Sequence, residues 1–189
     1  MPCGCGKKNT GGTVHFMGQS PSGSSDAPDP TEWGPIVWKY LHCLNEKIGF
    51  SGNPLTDADQ AGLMETLVNN LPQVIPCPEC QSHAAAYLVL HPLPQLKGLT
   101  GGHLRTALRN WLWAFHNHVR TTKGQPILLN QPEACSEHYA ACFVPKCEYT
   151  LFVQNVAYAV RQGWVKIENW RKWYSSSEKV RIITGNIVI

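Results

Sequence analysis

No run of apolar residues in this chain is long enough to span a bilayer, so a membrane-crossing helix is not expected. The first 30 residues hold neither the apolar core of an export signal nor the Arg-rich amphipathic pattern of a transit peptide. Dense Lys/Arg runs are missing and the net charge is only +3, which argues against nucleic acid or a membrane surface as a partner. No G-x-G-x-x-G follows a strand-like segment, so any dinucleotide would be held outside a Rossmann site. Internal repeats and strong strand runs are lacking as well. The simplest expectation is a soluble protein made and kept without Sec-type export.

What is present fits one domain with tails. The chain has 189 residues, 43 % of them hydrophobic, enough to build a packed core. Residues 1–30 read as a flexible arm, because Gly18 to Pro30 is almost all Gly, Ser, Pro and Asp. A first helix is expected from Thr31, its cap, with Val37, Leu41, Leu44 and Ile48 at helical spacing and Gly49 as the stop. Trp38 and His42, four apart, should stack on one face of it. Thr56-Asp57-Ala58-Asp59 reads as a capping box for a second helix carrying Leu63, Leu67 and Leu71. A third should start at Cys77-Pro78-Glu79-Cys80, with Pro in the tolerated first turn, and carry Ala84, Tyr87 and Leu88. A fourth follows Gly101-Gly102, with a stripe of Leu104, Leu108, Trp111, Leu112, Phe115 and Val119. Residues 125–148 read as loop, and Phe152, Val156 and Val160 as a fifth helix. The end, Val180 to Ile189, is β-prone, and the pattern assigns no place to residues 164–189. The fold class is all-α: a four-helix bundle with a short fifth helix, residues 31–163, between the arm and a C-terminal tail, residues 164–189.

The chemistry lies in the cysteines. There are eight, and two close pairs stand out: Cys3/Cys5 as C-x-C and Cys77/Cys80 as C-x-x-C. At a helix N-terminus, free N–H groups and the helix dipole stabilise a thiolate, which makes Cys77/Cys80 an exchangeable redox pair. The alternative is half of a zinc site with His83 and a later cysteine. A zinc ribbon wants its second pair about 15–20 residues on, and the next cysteine here is Cys135, so redox exchange is favoured. Trp38/His42 and Trp111/His116/Asn117 bracket the pair and offer flat faces and polar donors to a planar cofactor.

Three blocks then carry a resemblance. Trp33-Gly-Pro-Ile-Val-Trp38-Lys-Tyr-Leu-His42 resembles the W-G-x-x-x-W-x-x-L-H helix of the Erv/ALR family of FAD-dependent sulfhydryl oxidases. Cys77-Pro-Glu-Cys80 resembles that family's C-x-x-C, and Trp111-Leu-Trp-Ala-Phe-His116-Asn117-His-Val119 its W-x-C-x-x-H-N-x-V. The blocks occur in the family's order. The resemblance implies FAD at the mouth of the bundle, a homodimer, protein dithiols as substrates and oxygen as the acceptor, reduced to hydrogen peroxide. It implies that Cys80 makes the charge-transfer contact with the isoalloxazine ring, and that Cys77 is the outer sulfur exchanging with substrate. Gly34, Trp38, His42, His116, Asn117, Val119 and Lys123 would contact FAD, with His83 a further candidate. No metal is implied. Cys3 and Cys5, on their tether, would shuttle electrons from bulky substrates to the inner pair.

The chain also departs from the family. Trp113 replaces the cysteine of W-x-C, so the disulfide from that position is lost; a 135–142 or a 142–147 bridge could replace it, and nothing in the sequence chooses between them. Glu46 stands at an often aromatic position and Arg120 follows Val119 where the family has Asn. Cys43 reads as a buried free thiol. The divergent core and long tail look like oxidases of large DNA viruses, which implies host cytoplasm or virion, the mitochondrial intermembrane space being the alternative. A zinc-stabilised helical module and a non-catalytic binding protein of the same fold are the competing functions.

Overall fold

The computed structural model describes residues 26–185 and Val188; Cys3, Cys5 and most of the N-terminal arm lie outside the described residues. Seven α-helices follow one another among these residues: α1 (Pro30–Asn45), α2 (Pro54–Asn69), α3 (Pro78–Leu90), α4 (Gly101–Thr122), α5 (Ala134–Tyr139), α6 (Lys146–Arg161) and α7 (Ile167–Ile183). A 3-10 turn, Leu71–Gln73, joins α2 to α3. The all-α expectation stands, with two more helices than the sequence pattern assigned.

Capping explains where the first helices start. Three of them open on proline, which donates no N–H and already holds a helical φ. The side chain just before it then accepts an orphan N–H. Asp29 accepts from Thr31 at 2.8 Å, Asn53 from Leu55 at 2.9 Å, and the Cys77 sulfur from Cys80 at 3.2 Å. Thr31 is therefore inside α1 rather than its cap. The box expected at Thr56 is likewise displaced, because Asn53-Pro54 starts α2 a turn earlier. Asp57 is freed for a longer contact: it is 2 % exposed and accepts the Gly101 N–H at 2.8 Å, capping α4 from across the fold. There Gly49, at φ +70°, crosses Gly101 so closely that a Cβ would lie 2.3 Å from the Gly101 oxygen.

α1 runs through the middle and packs on α4, α5 and α6, while α2 packs chiefly on α7. Leu41, Leu44, Ile48, Met64, Leu67, Leu104, Leu108 and Leu112 are wholly buried between them. The β-prone reading of the C-terminus is corrected: Val180 to Ile183 are helical, and Val188 makes an isolated bridge to Val144. One face of α7, Trp173, Ser177 and Val180, is buried, and the Trp173 indole donates to the Leu67 carbonyl of α2 at 3.0 Å. The 125–148 loop expectation is corrected by α5, a helix of six residues between Pro132 and Pro145, too short for periodicity to reveal.

A buried ion pair ties α1, α4 and α5 together. Arg109 grips Glu46 with two parallel bonds, Nε to Oε1 at 2.8 Å and Nη2 to Oε2 at 2.6 Å, and also reaches Ser136 at 3.3 Å. The Glu46 side chain is 2 % exposed. Removing one partner of such a pair strands the other charge away from water. Arg109→Met is expected to lower unfolding free energy by about 3–5 kcal/mol, read from urea melts. Adding Glu46→Leu should recover most of the loss. A loss below about 1 kcal/mol in the single variant, the size of an exposed pair, would show that water screens the two charges.

Candidate functional site

Two cavities meet along α1, where Gly34 and Trp38 line both. The first, of about 270 Å³, is apolar and lies between α1, α3 and α4. From α3 it takes Cys80, His83, Ala84 and Tyr87, the i, i+3, i+4, i+7 face of a helix that starts at the cysteine pair. From α4 it takes Phe115, His118, Val119 and Thr122. The second, of about 440 Å³, takes the adjoining face of α4, His116, Arg120 and Lys123, together with Lys39, His138 and Tyr139. Val119 and Lys123 also line both. One space is thus walled by flat aromatic rings and its neighbour by cationic side chains.

Gly34 and Pro35 are poor helix residues within α1, and Gly34 stands where the cavities join. A Cβ at Gly34 would meet no atom within 4 Å. The backbone surface is bare at the point a ligand occupying both spaces would cross.

Aromatic packing differs from the sequence expectation. Trp38 and His42 do not stack on each other: their rings are 6.4 Å apart and tilted by 37°. Trp38 lies flat on His116 across the helix gap, at 4.3 Å and 6°, and His42 lies flat on Tyr139, at 4.6 Å and 7°. His42 is fully buried behind the wall, and its Nε2 meets His116 Nδ1 at 3.2 Å. Its Nδ1 has no hydrogen-bond partner among the described residues. Asn117 uses its amide on the chain after α4, accepting from the Leu128 N–H and donating to the Leu128 carbonyl. Trp111 packs on Tyr87 and Phe115 and donates to the His91 carbonyl at 3.0 Å. Gly34, Trp38, Cys80, His83, His116, Val119 and Lys123 therefore reach the cavities, while His42 and Asn117 stand behind them.

Burial keeps both histidines neutral. It holds His42 down to about 4, helped by the charge of His138, and His116 down to about 3, helped by His42 and Arg120. The unfolded chain binds these protons near 6.5, so the folded state binds fewer below that value. Stability is then complete above pH 6.5 and is lost as pH falls from there through about 4 and about 3. Urea midpoints measured between pH 7 and 4 are expected to show this slope. His116→Asn should roughly halve it, and an unchanged slope would exclude His116 as a source.

Cys80 is half-buried and faces the first cavity; Cys77 is 7 % exposed. Both thiols are free, as are Cys43, Cys135, Cys142 and Cys147. The 135–142 and 142–147 bridges are therefore not formed, and the Cys142 thiol instead donates to the Phe143 carbonyl at 3.7 Å. Burial, then the hydrogen bond from Cys77 and its charge, push the Cys80 thiol up to about 12. Among the groups acting on it, Lys123 alone favours the thiolate. Among the described residues, no three His, Cys, Asp or Glu side chains gather as a metal site would need.

Lys39, Arg120, His118 and His138 were missed in the sequence. His118 and Arg120 sit on the same α4 turns as His116 and Val119, and widening the stripe by one residue each way would have found them. Lys39 and His138 gave no such signal.

Residues 35–141 match the model of the Erv1 / Alr family. An FAD-linked sulfhydryl oxidase of African swine fever virus is 29 % identical over 96 residues, covering 51 % of this chain and 71 % of that protein. A protein of Invertebrate iridescent virus 3, provisionally named FAD-linked sulfhydryl oxidase, is 31 % identical over 100 residues, 53 % of this chain and 62 % of its own length. A provisionally named homologue in Invertebrate iridescent virus 6 is 28 % identical over 102 residues, 53 % of this chain and 86 % of that one. No solved structure matches the chain.

Proposed function

Because the chain belongs to the Erv1 / Alr family, we propose that it is an FAD-linked sulfhydryl oxidase that makes disulfides in protein dithiols at the expense of oxygen. The observation that carries this reading is the Cys80 thiol, held at a helix N-terminus and facing an apolar, aromatic-walled cavity that continues into a cationic one. The donor set fits FAD. Trp38, Tyr87 and Phe115 offer flat faces for a tricyclic ring, and Arg120, Lys123 and Lys39 suit a diphosphate. The bare backbone at Gly34 leaves room for the ligand to pass between the two spaces.

The thiol chemistry follows from the pair. A substrate thiolate attacks the Cys77 sulfur of the Cys77–Cys80 disulfide, the S–S bond breaks and Cys80 leaves as a thiolate. The substrate's second thiolate attacks the mixed disulfide and releases Cys77. Two substrate thiols become one disulfide, and the protein holds two thiols. FAD, when bound, supplies the two-electron acceptor for that dithiol and the place where oxygen is reduced to hydrogen peroxide. A thiol as high as Cys80's is a poor leaving group, and the Lys123 ammonium eases its departure. The burial of Cys77 favours small or extended dithiols over folded surfaces as direct attackers. Cys3-Gly4-Cys5, set in a Gly/Ser-rich stretch of the sequence, supplies a second dithiol, which supports a shuttle.

The viral relatives support action in host cytoplasm or virion, and the family supports a homodimer. The direct test is a visible spectrum. Purified protein is expected to show a flavin band that bleaches with dithiothreitol and returns in air. A colourless preparation that takes up no FAD would overturn the reading.

A further inference from the structure

Gln81, the half-buried residue after Cys80, holds two distant pieces of main chain. Its side-chain amide donates to the Ile75 carbonyl at 2.8 Å and to the Trp164 carbonyl at 3.0 Å. The first bond closes a short loop around Cys77, because Ile75 lies two residues before it and Gln81 four residues after. Proline leaves that loop little else to hold it. Pro76 and Pro78 carry no N–H, so from residue 75 to 78 the main chain can donate only at Ile75 and Cys77. The Ile75 N–H returns to the Leu71 carbonyl at 3.2 Å. The Ile75 side chain also lines the first cavity together with Cys80. One amide therefore fixes both the approach to Cys77 and the wall beside Cys80.

The second bond reaches a part of the chain beyond the family match, which ends at residue 141. α6 ends in a turn at Gly163, whose φ of +77° favours glycine. The chain folds back there. The Trp164 N–H meets the Ala159 carbonyl at 3.0 Å, and the N–H of Val165, 2 % exposed, meets the same carbonyl at 3.3 Å. A fixed turn thus presents the Trp164 carbonyl to Gln81. α7 then packs on α2 and on the 3-10 turn that leads to Ile75. The geometry points to Gln81 as a positioning residue for the Cys77/Cys80 pair, through which the segment after residue 141 braces that pair. The inference rests on this being the pair proposed above to exchange with substrate. The Cys77–Cys80 disulfide needs the strand carrying Cys77 to stay against the start of α3. The brace raises the effective concentration of one sulfur at the other and so favours the disulfide.

The test is the exchange equilibrium of the full chain with glutathione, held without air and read by alkylation and the mass of the peptide carrying Cys77 and Cys80. In it two protein thiols become one disulfide as one glutathione disulfide becomes two thiols. Gln81→Met keeps the side-chain length and removes both donors. It is expected to lower the equilibrium constant for the disulfide roughly 5–10-fold. Gly163→Ala strains the turn that offers the Trp164 carbonyl but leaves the Ile75 bond, so a smaller drop of roughly 2–4-fold is expected. Arg109→Met, which lowers stability elsewhere in the fold, should leave the constant unchanged, as a merely structural loss would. A Gln81→Met constant within about twofold of the unaltered chain's, less than one hydrogen bond's worth, would overturn the positioning role. A drop in Gln81→Met with none in Gly163→Ala would overturn the part given to the segment after residue 141. Should Gln81→Met fail to fold, Gly163→Ala still decides. The exchange needs no flavin, so a colourless protein would count against the oxidase reading and not against the brace.

Discussion

Cys80→Ser is expected to lower dithiothreitol-driven oxygen consumption by roughly 10³-fold or more, the scale seen when an atom that makes and breaks bonds is removed, while the protein still binds FAD. The reason is geometric. Cys80 is the sulfur of the pair that faces the first cavity, and serine there is close to isosteric but cannot form a disulfide. The Cys77 sulfur, buried and bonded to the Cys80 N–H, has no such opening. An oxygen electrode and a visible spectrum of the same sample separate chemistry from binding. Substantial residual turnover would take Cys80 out of the mechanism.

Gly34→Leu should do the reverse. The added side chain starts where no protein atom lies within 4 Å, at the meeting of the two cavities, so it fills ligand space and not core. Replacing a helix glycine also removes a cost of about 0.5–1 kcal/mol. The apo protein is therefore expected to melt at the same temperature or a few degrees higher, yet to purify colourless and inactive, with FAD affinity down at least about 100-fold, or near 3 kcal/mol. A yellow, active variant would mean that the flavin does not pass Gly34. A variant that fails to fold would mean that the position faces core. Together the two substitutions would sort the site, Cys80→Ser testing chemistry on a bound cofactor and Gly34→Leu testing the room for it.

Several parts of this arrangement were legible in the chain. Cys77-Pro78-Glu79-Cys80 announces a helix start by itself, because capping and the proline φ act within one turn. The long stripe from Leu104 to Val119 announces α4 by its period, and its cavity-facing residues follow from it. Other parts were hidden. α7 shows aromatic and β-branched residues whose buried face makes sense only against α2, about a hundred residues earlier in the sequence. Glu46 reads as a stray charge in an apolar helix until Arg109 meets it.

The sequence by itself determined the class of fold, the family, the close cysteine pair and the helix that presents it, since these rest on backbone period, capping and contiguous motifs that act over a few residues. The tertiary structure alone decided that Trp38 stacks on His116 and not on His42, that Gly34 lies at the join of two cavities, and that Glu46 meets Arg109. Those outcomes depend on which helix faces close on one another, and packing between distant segments leaves no mark on the spacing of residues within either one.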